Sequence, residues 1–93
     1  MIKVKNITNP NNWRSINNQF DITTDEGNFF QSYSSIIVKI ANDGTTFLDE
    51  YFWDYSRTTS RWRNVFLNET TKETKAKIKS GEYKLINLSL IHI

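Results

Sequence analysis

The chain has 93 residues, no cysteine, an aromatic fraction of 14% and a formal net charge of +2. A single domain of this size lies near the lower limit for folding without covalent staples, and the missing thiols exclude a disulfide framework and a thiolate metal site. The sequence pI of about 9.0 reflects a small surplus of bases, not the dense basic stripe of a protein that grips nucleic acid through its phosphates.

Ile2, Val4 and Ile7 are interleaved with Lys3 and Lys5, the period-2 pattern of a half-buried first strand. Thr8 to Asn18 is rich in asparagine and holds the single proline, Pro10. It reads as a loop, with Trp13 and Ile16 as anchors onto the core. Phe20, Ile22 and Thr24 alternate with polar residues and predict a second strand. Asp25-Glu26-Gly27 is a hairpin turn in which Gly27 supplies the positive φ of a tight loop. Asn28 to Tyr33 returns as a third strand, with Phe29, Gln31 and Tyr33 on one face and Phe30 and Ser32 on the other. Ile36 to Ala41 is a β-branched run suited to a central strand. Asn42-Asp43-Gly44 turns the chain into a fifth strand, Thr45 to Leu48.

Beyond Leu48 the period changes. Thr58, Thr59 or Ser60 is placed to cap a short helix over Trp62 to Leu67. Asn68 would cap a second helix running through Ser80 and ended by Gly81, with Glu73 and Lys77 as an i, i+4 pair. Its apolar face (Leu67, Thr71, Thr74, Ile78) is thin, so this helix should lie across the sheet or its edge. Glu82 to Leu88 completes the elements as a final strand, and the tail Ser89 to Ile93 extends that strand or frays. The expected fold is α+β in one domain spanning residues 1–93. An antiparallel meander of about five to six strands carries one or two short helices between residues 58 and 80. Phe20, Ile22, Phe29, Ile37, Phe47, Trp62, Phe66, Ile78 and Leu85 are the expected core.

Catalytic groups are sparse. The lone histidine, His92, adjoins the C-terminus and reads as a bystander; with neither cysteine nor a second histidine, no soft-ligand metal cluster is available. Gly27, Gly44 and Gly81 are isolated, so there is no phosphate loop. Asp49, Glu50 and Asp54 cluster in sequence, but with Arg57 and Arg61 nearby they read as salt-bridge partners. No enzyme activity, cofactor or metal is expected. The apolar run Ile36-Ile37-Val38 is far short of the roughly 20 residues of a membrane span, so no membrane association is expected and the chain reads as cytoplasmic.

Phe52 to Glu69, "FWDYSRTTSRWRNVFLNE", concentrates aromatic and guanidinium groups. Trp62 and Phe66 read as core. If Tyr51 to Tyr55 is extended, Tyr51, Trp53 and Tyr55 share one side and not every ring can face inward. Trp, Tyr and Arg are the residues enriched at interface hot spots, so Trp53, Tyr55, Arg57, Arg61 and Arg63 are the candidate partner-binding residues. The same residue types also stack bases and pair phosphates in single-stranded nucleic-acid sites.

The ordered stretches "TDEGNFFQSYSS", "LDEYFWDYSRTTSRWRNVFLNET" and "IKSGEYKLINL" resemble a family of short uncharacterised proteins encoded by bacteriophages and prophages. The match runs from about Phe20 to Leu88. The resemblance carries no catalytic or binding residue with it. What it implies is context: a small non-catalytic protein that acts in the host cytoplasm by occupying a surface on a host protein, as anti-CRISPR and other anti-defence inhibitors do. The alternatives are a single-stranded nucleic-acid-binding protein, marked by salt-dependent binding, and a homo-oligomeric phage structural accessory.

Overall fold

In the computed structural model, which describes residues 1–89, six strands form one sheet in sequence order. They are β1 (Lys3–Thr8), β2 (Ser15–Thr24), β3 (Gly27–Ser32), β4 (Ser35–Ala41), β5 (Thr46–Asp49) and β6 (Tyr83–Ile86), with α1 (Arg57–Leu67) and α2 (Thr71–Ser80) between β5 and β6. The first four pairings are antiparallel; β2–β3 and β4–β5 are the hairpins that the Asp25-Glu26-Gly27 and Asn42-Asp43-Gly44 turns predict. The last is parallel, because two helices carry the chain back to the end where β5 began, the kind of crossover that a parallel pair requires. The architecture is α+β, with the meander and both helices where the sequence puts them.

β2 begins at Ser15, inside the stretch read as a loop. Between Asn6↔Phe20 and Thr8↔Ser15 the register jumps, and Asn18 takes φ 64° to absorb the extra residues. This irregular pairing is invisible to a period-2 search. Ile16 does pack on the core, whereas Trp13 points to solvent.

The sheet is apolar on both faces. Phe30, Ile37, Val38, Leu48, Trp62 and Tyr83 form the larger cluster, joined by Val65, Phe66, Leu67 and Ile78 from the helices. Phe30 and Phe66 stack at 5.6 Å. Ile22, Phe29, Ile36 and Leu88 form the smaller cluster on the opposite face, flanked by half-buried Phe20 and Phe47. Ile37 is the extra residue of a β-bulge, since Phe30 pairs with Val38 and Gln31 with Ile36; this lets Ile37 and Val38 both enter the helix-covered cluster. Leu85, expected in the core, is 40% exposed. Among the described residues it sits on the outermost strand with a neighbour on one side only, and Leu88 is the residue buried instead. The expectations for His92 and the last four residues of the tail lie outside the described residues.

The helix caps differ from those the sequence suggested. Ser56 caps α1, accepting the Thr59 N–H, so the helix starts before the predicted Thr58–Ser60 cap. Asn68 is the left-handed C-cap of α1 rather than the N-cap of α2. Thr70 takes that second role in a capping box with Glu73, which occupies Glu73 and leaves Lys77 to pair elsewhere.

Lys77 pairs with Glu69 at 2.8 Å. The Glu69 side chain is only 3% exposed and also accepts hydrogen bonds from Thr74 at 2.5 Å and Tyr83 at 2.6 Å. Burial alone would raise its pKa, but the hydrogen bonds from Lys77, Thr74 and Tyr83 outweigh burial and hold it below its ordinary 4.5. A carboxyl depressed on folding stabilises the fold above its unfolded pKa and loses that contribution as pH falls through the folded value. Unfolding free energy should therefore decline on acidification below about pH 4.5. Urea titrations at a series of pH values should show a flatter acid limb for Glu69→Gln. Burial and the Glu69 contact push the Tyr83 phenol up to about 12, so it stays protonated throughout that range.

Candidate protein-interaction surface

Strand direction gathers the connections at two ends of the sheet. Residues 9–14, 33–34, 50–56 and 87–89 lie at one end, and the turns at 25–26, 42–45 and 81–82 at the other. All five exposed aromatics among the described residues, Trp13, Tyr33, Tyr51, Phe52 and Tyr55, belong to the first end. Trp13 is 80% and Tyr51 70% exposed.

Asp49 shapes this end. It is buried where β5 stops; its Oδ2 accepts the N–H groups of Tyr51 at 3.1 Å and Phe52 at 2.9 Å. Its Oδ1 accepts the Leu88 N–H at 2.9 Å. An aspartate that bonds the backbone two and three residues on turns the chain, so Tyr51 to Tyr55 is a coil of turns and not an extended segment. Side alternation therefore does not govern which ring is exposed. Tyr51, Phe52 and Tyr55 cluster outside, with Phe52 and Tyr55 edge to face at 5.2 Å. Trp53 turns inward and packs partly on the larger core cluster.

The arginines divide. Arg63, a candidate contact residue by sequence, is fully buried. It donates to the Trp53 carbonyl, to Asp54 at 3.2 Å, and to Asn64 and Thr71 at 2.9 Å each. Its guanidinium also lies 5.1 Å from the Trp53 ring. This one group ties the aromatic loop to both helices; its Nε makes no hydrogen bond but is buried with the rest, so no donor faces a partner on the surface. Arg57 and Arg61 are exposed, one turn apart on α1. Arg61 lies over the Trp62 ring at 4.6 Å. Among the described residues neither forms an ion pair, in contrast to the salt bridges expected with Asp49, Glu50 and Asp54; Asp54 goes to Arg63 instead.

Of the sequence candidates, then, Tyr55, Arg57 and Arg61 are available on the surface, Trp53 partly so and Arg63 not. Tyr33 and Trp13 were missed. Tyr33 fills a two-residue turn between runs of strand pattern, and Trp13 follows an Asn-rich turn; a large ring in a turn is the sequence signal that marks both.

The other chemistry is thin. Burial raises the Asp21 pKa against the lowering effect of Lys5, its cross-strand partner, but no second acid or base accompanies it. A cleft of about 100 Å³ lies between Ser34, Ile36, Asp49, Phe52 and Leu88, below the roughly 300–1,000 Å³ of small-molecule sites; wider depressions of about 460 Å³ along Lys3, Lys5 and Asp21 and about 480 Å³ between Pro10, Val65 and Thr70 are open to solvent. Among the described residues, no group of three or more His, Asp or Glu is placed to hold a metal ion. No helix there is long and apolar enough to cross a membrane.

A family model described as a family of unknown function, DUF8033, matches residues 2–82. No curated protein and no solved structure matches the chain.

Proposed function

The chain belongs to the DUF8033 family, whose function is unknown, and from its own surface we propose that it is a non-catalytic binding protein that acts by occupying a site on another protein. The observation carrying this reading is the exposed cluster of Tyr51, Phe52 and Tyr55 beside Arg57 and Arg61, neither of which has an acidic partner among the described residues. Arg57 is also the first residue of α1, whose first turn holds no acid. A cation there opposes the helix dipole, at a cost of about 0.3–1 kcal/mol. A charge held against local electrostatics and left unpaired is available to a ligand.

The resemblance to phage and prophage proteins points to a host protein as the partner, in the host cytoplasm, with the chain as its stoichiometric inhibitor. A defence protein fits that role, as in the anti-CRISPR proteins. The test is affinity capture from host lysate with nuclease treatment, followed by titration of the recovered protein. Arg57→Ala/Arg61→Ala should melt within about 0.5 kcal/mol of the wild type, as surface changes do, and should lose at least roughly 2 kcal/mol of partner affinity. Full affinity in that variant would refute the assignment. Retention of nucleic acid that nuclease abolishes would favour the single-strand-binding reading, and a concentration-dependent mass in light scattering the homo-oligomeric one.

A further inference from the structure

We propose that Trp13 and Tyr33 complete the docking surface and that its occupant is an acidic protein segment, with carboxylates meeting Arg14, Arg57 and Arg61 and apolar side chains covering the rings. This inference rests on the binding reading above and extends it to two hairpin tips.

The backbone supplies the first observation. Trp13 has φ 62° and Tyr33 φ 54°, in the left-handed region that bulky residues rarely enter. At the opposite end of the sheet the positive-φ positions are filled by Gly27, Gly44 and Gly81, the residue that suits such turns. Where only the backbone path is at stake the chain uses glycine, or asparagine at Asn18 and Asn68, the other residue that enters this region readily. At the aromatic end it holds two exposed rings in strained backbone, and strain of this kind concentrates at functional sites.

Charge supplies the second. Arg14 and Arg57 lie at this end or directly beside it, and Arg61 one helical turn further on. None of the eight lysines of the chain falls in residues 9–14, 33–34, 50–57 or 87–89. The acids in or next to these segments are Asp49 at the end of β5, buried in backbone hydrogen bonds, Asp54, paired with Arg63, and the exposed Glu50. Aromatics and arginine enriched, with lysine and free carboxylates depleted, is the composition of a protein–protein interface, whereas phosphate contacts recruit lysine as readily as arginine. Without an ion pair among the described residues, the guanidinium groups of Arg14, Arg57 and Arg61 select a partner of opposite sign. Six strands at about 4.8 Å spacing make this end about 24 Å wide, a span for roughly seven extended residues.

The test uses fluorescence anisotropy of a labelled random copolymer of glutamate and tyrosine, with an oligothymidylate strand as the comparison. The wild-type chain should bind the copolymer more tightly than the oligothymidylate. Trp13→Gly and Tyr33→Gly should each weaken copolymer binding about tenfold while the Tm stays level or rises, because glycine adopts these angles without strain. Trp13→Phe should retain most of the affinity. Unchanged binding in both glycine variants, alongside a loss in Arg57→Ala/Arg61→Ala, would overturn the extension and leave the binding reading standing. Unchanged binding in all three variants would overturn both. A lowered Tm in either glycine variant would assign the ring to packing, and tighter binding of oligothymidylate, or no copolymer binding by the wild type, would refute the acidic protein segment.

Discussion

Arg63→Ala is expected to destabilise the fold by about 3–5 kcal/mol, the usual result of removing one partner from a buried, hydrogen-bonded charge. The guanidinium is fully buried and donates to the Trp53 carbonyl, Asp54, Ser60, Asn64 and Thr71. Its loss would leave the Trp53 carbonyl and the Asp54 carboxylate without their cation and open a void between the aromatic loop and the helices. In a domain of this size each kcal/mol moves the Tm by about 4–8 °C, so a fall of at least about 12 °C should appear in a thermal melt. Arg63→Lys should recover little, since an ammonium cannot reproduce the planar fork. A Tm within a few degrees of the wild type would mean that the loop and helices hold together without this group. The contrast with Arg57 and Arg61 is the instructive part. Residues of one type, within seven positions of one helix, divide into a structural tie and a free surface by burial alone.

Gly27→Ala is expected to cost about 3–5 kcal/mol, from an unfavourable backbone conformation and overpacking acting together. Gly27 opens β3 at φ 141° and pairs with Ala41 of β4. A Cβ built there would stand 2.1 Å from the Ile40 carbonyl oxygen, so the β2–β3 hairpin would have to lift away from β4. Gly44→Ala and Gly81→Ala are the controls. A Cβ at either meets nothing within 4 Å, which leaves only the cost of a positive φ, about 1 kcal/mol. Chemical denaturation of the three variants separates the two contributions. Equal losses at all three positions would show that the close approach at Gly27 is relieved at no cost.

The meander was legible because its signals are local. Alternation in Phe20 to Thr24 and the two Asp/Asn-rich turns act over a few residues, and the hairpins follow from them. Three features were not local, and the sequence hid them. β6 lies parallel to β5 because of where two helices deliver it, which no pattern in Tyr83 to Ile86 encodes. Leu85 and Leu88 look alike in sequence, yet one is on an exposed edge and the other is sealed against Ile22, Phe29 and Ile36. The aromatic loop misled for a related reason. Its alternation argument assumed an extended backbone, while Asp49 turns the chain by bonding Tyr51 and Phe52. The concentration of rings and guanidinium groups was visible from the start; which of them faced outward was a tertiary fact.

The parallel seating of β6 also sets where the native state opens first. The meander closes small loops between neighbours in sequence, whereas β6 reaches β5 only after residues 50–82 are in place. Loop closure of that length raises the entropic cost of this contact above that of any hairpin in the sheet. A four-residue edge strand with such a contact is the natural unit of local unfolding. When it detaches, the Leu88 N–H leaves Asp49 and the leucine leaves the smaller cluster, which contains no helical residue to take its place. Ile22, Phe29 and Ile36 are then uncovered on β2 to β4, with Phe47 of the same face on the newly bared strand β5. Apolar surface beside an unpaired strand is the template for edge-to-edge aggregation, so the molecule's colloidal weak point is the sheet face opposite the helices, opened once β6 gives up its Tyr83 contacts with them.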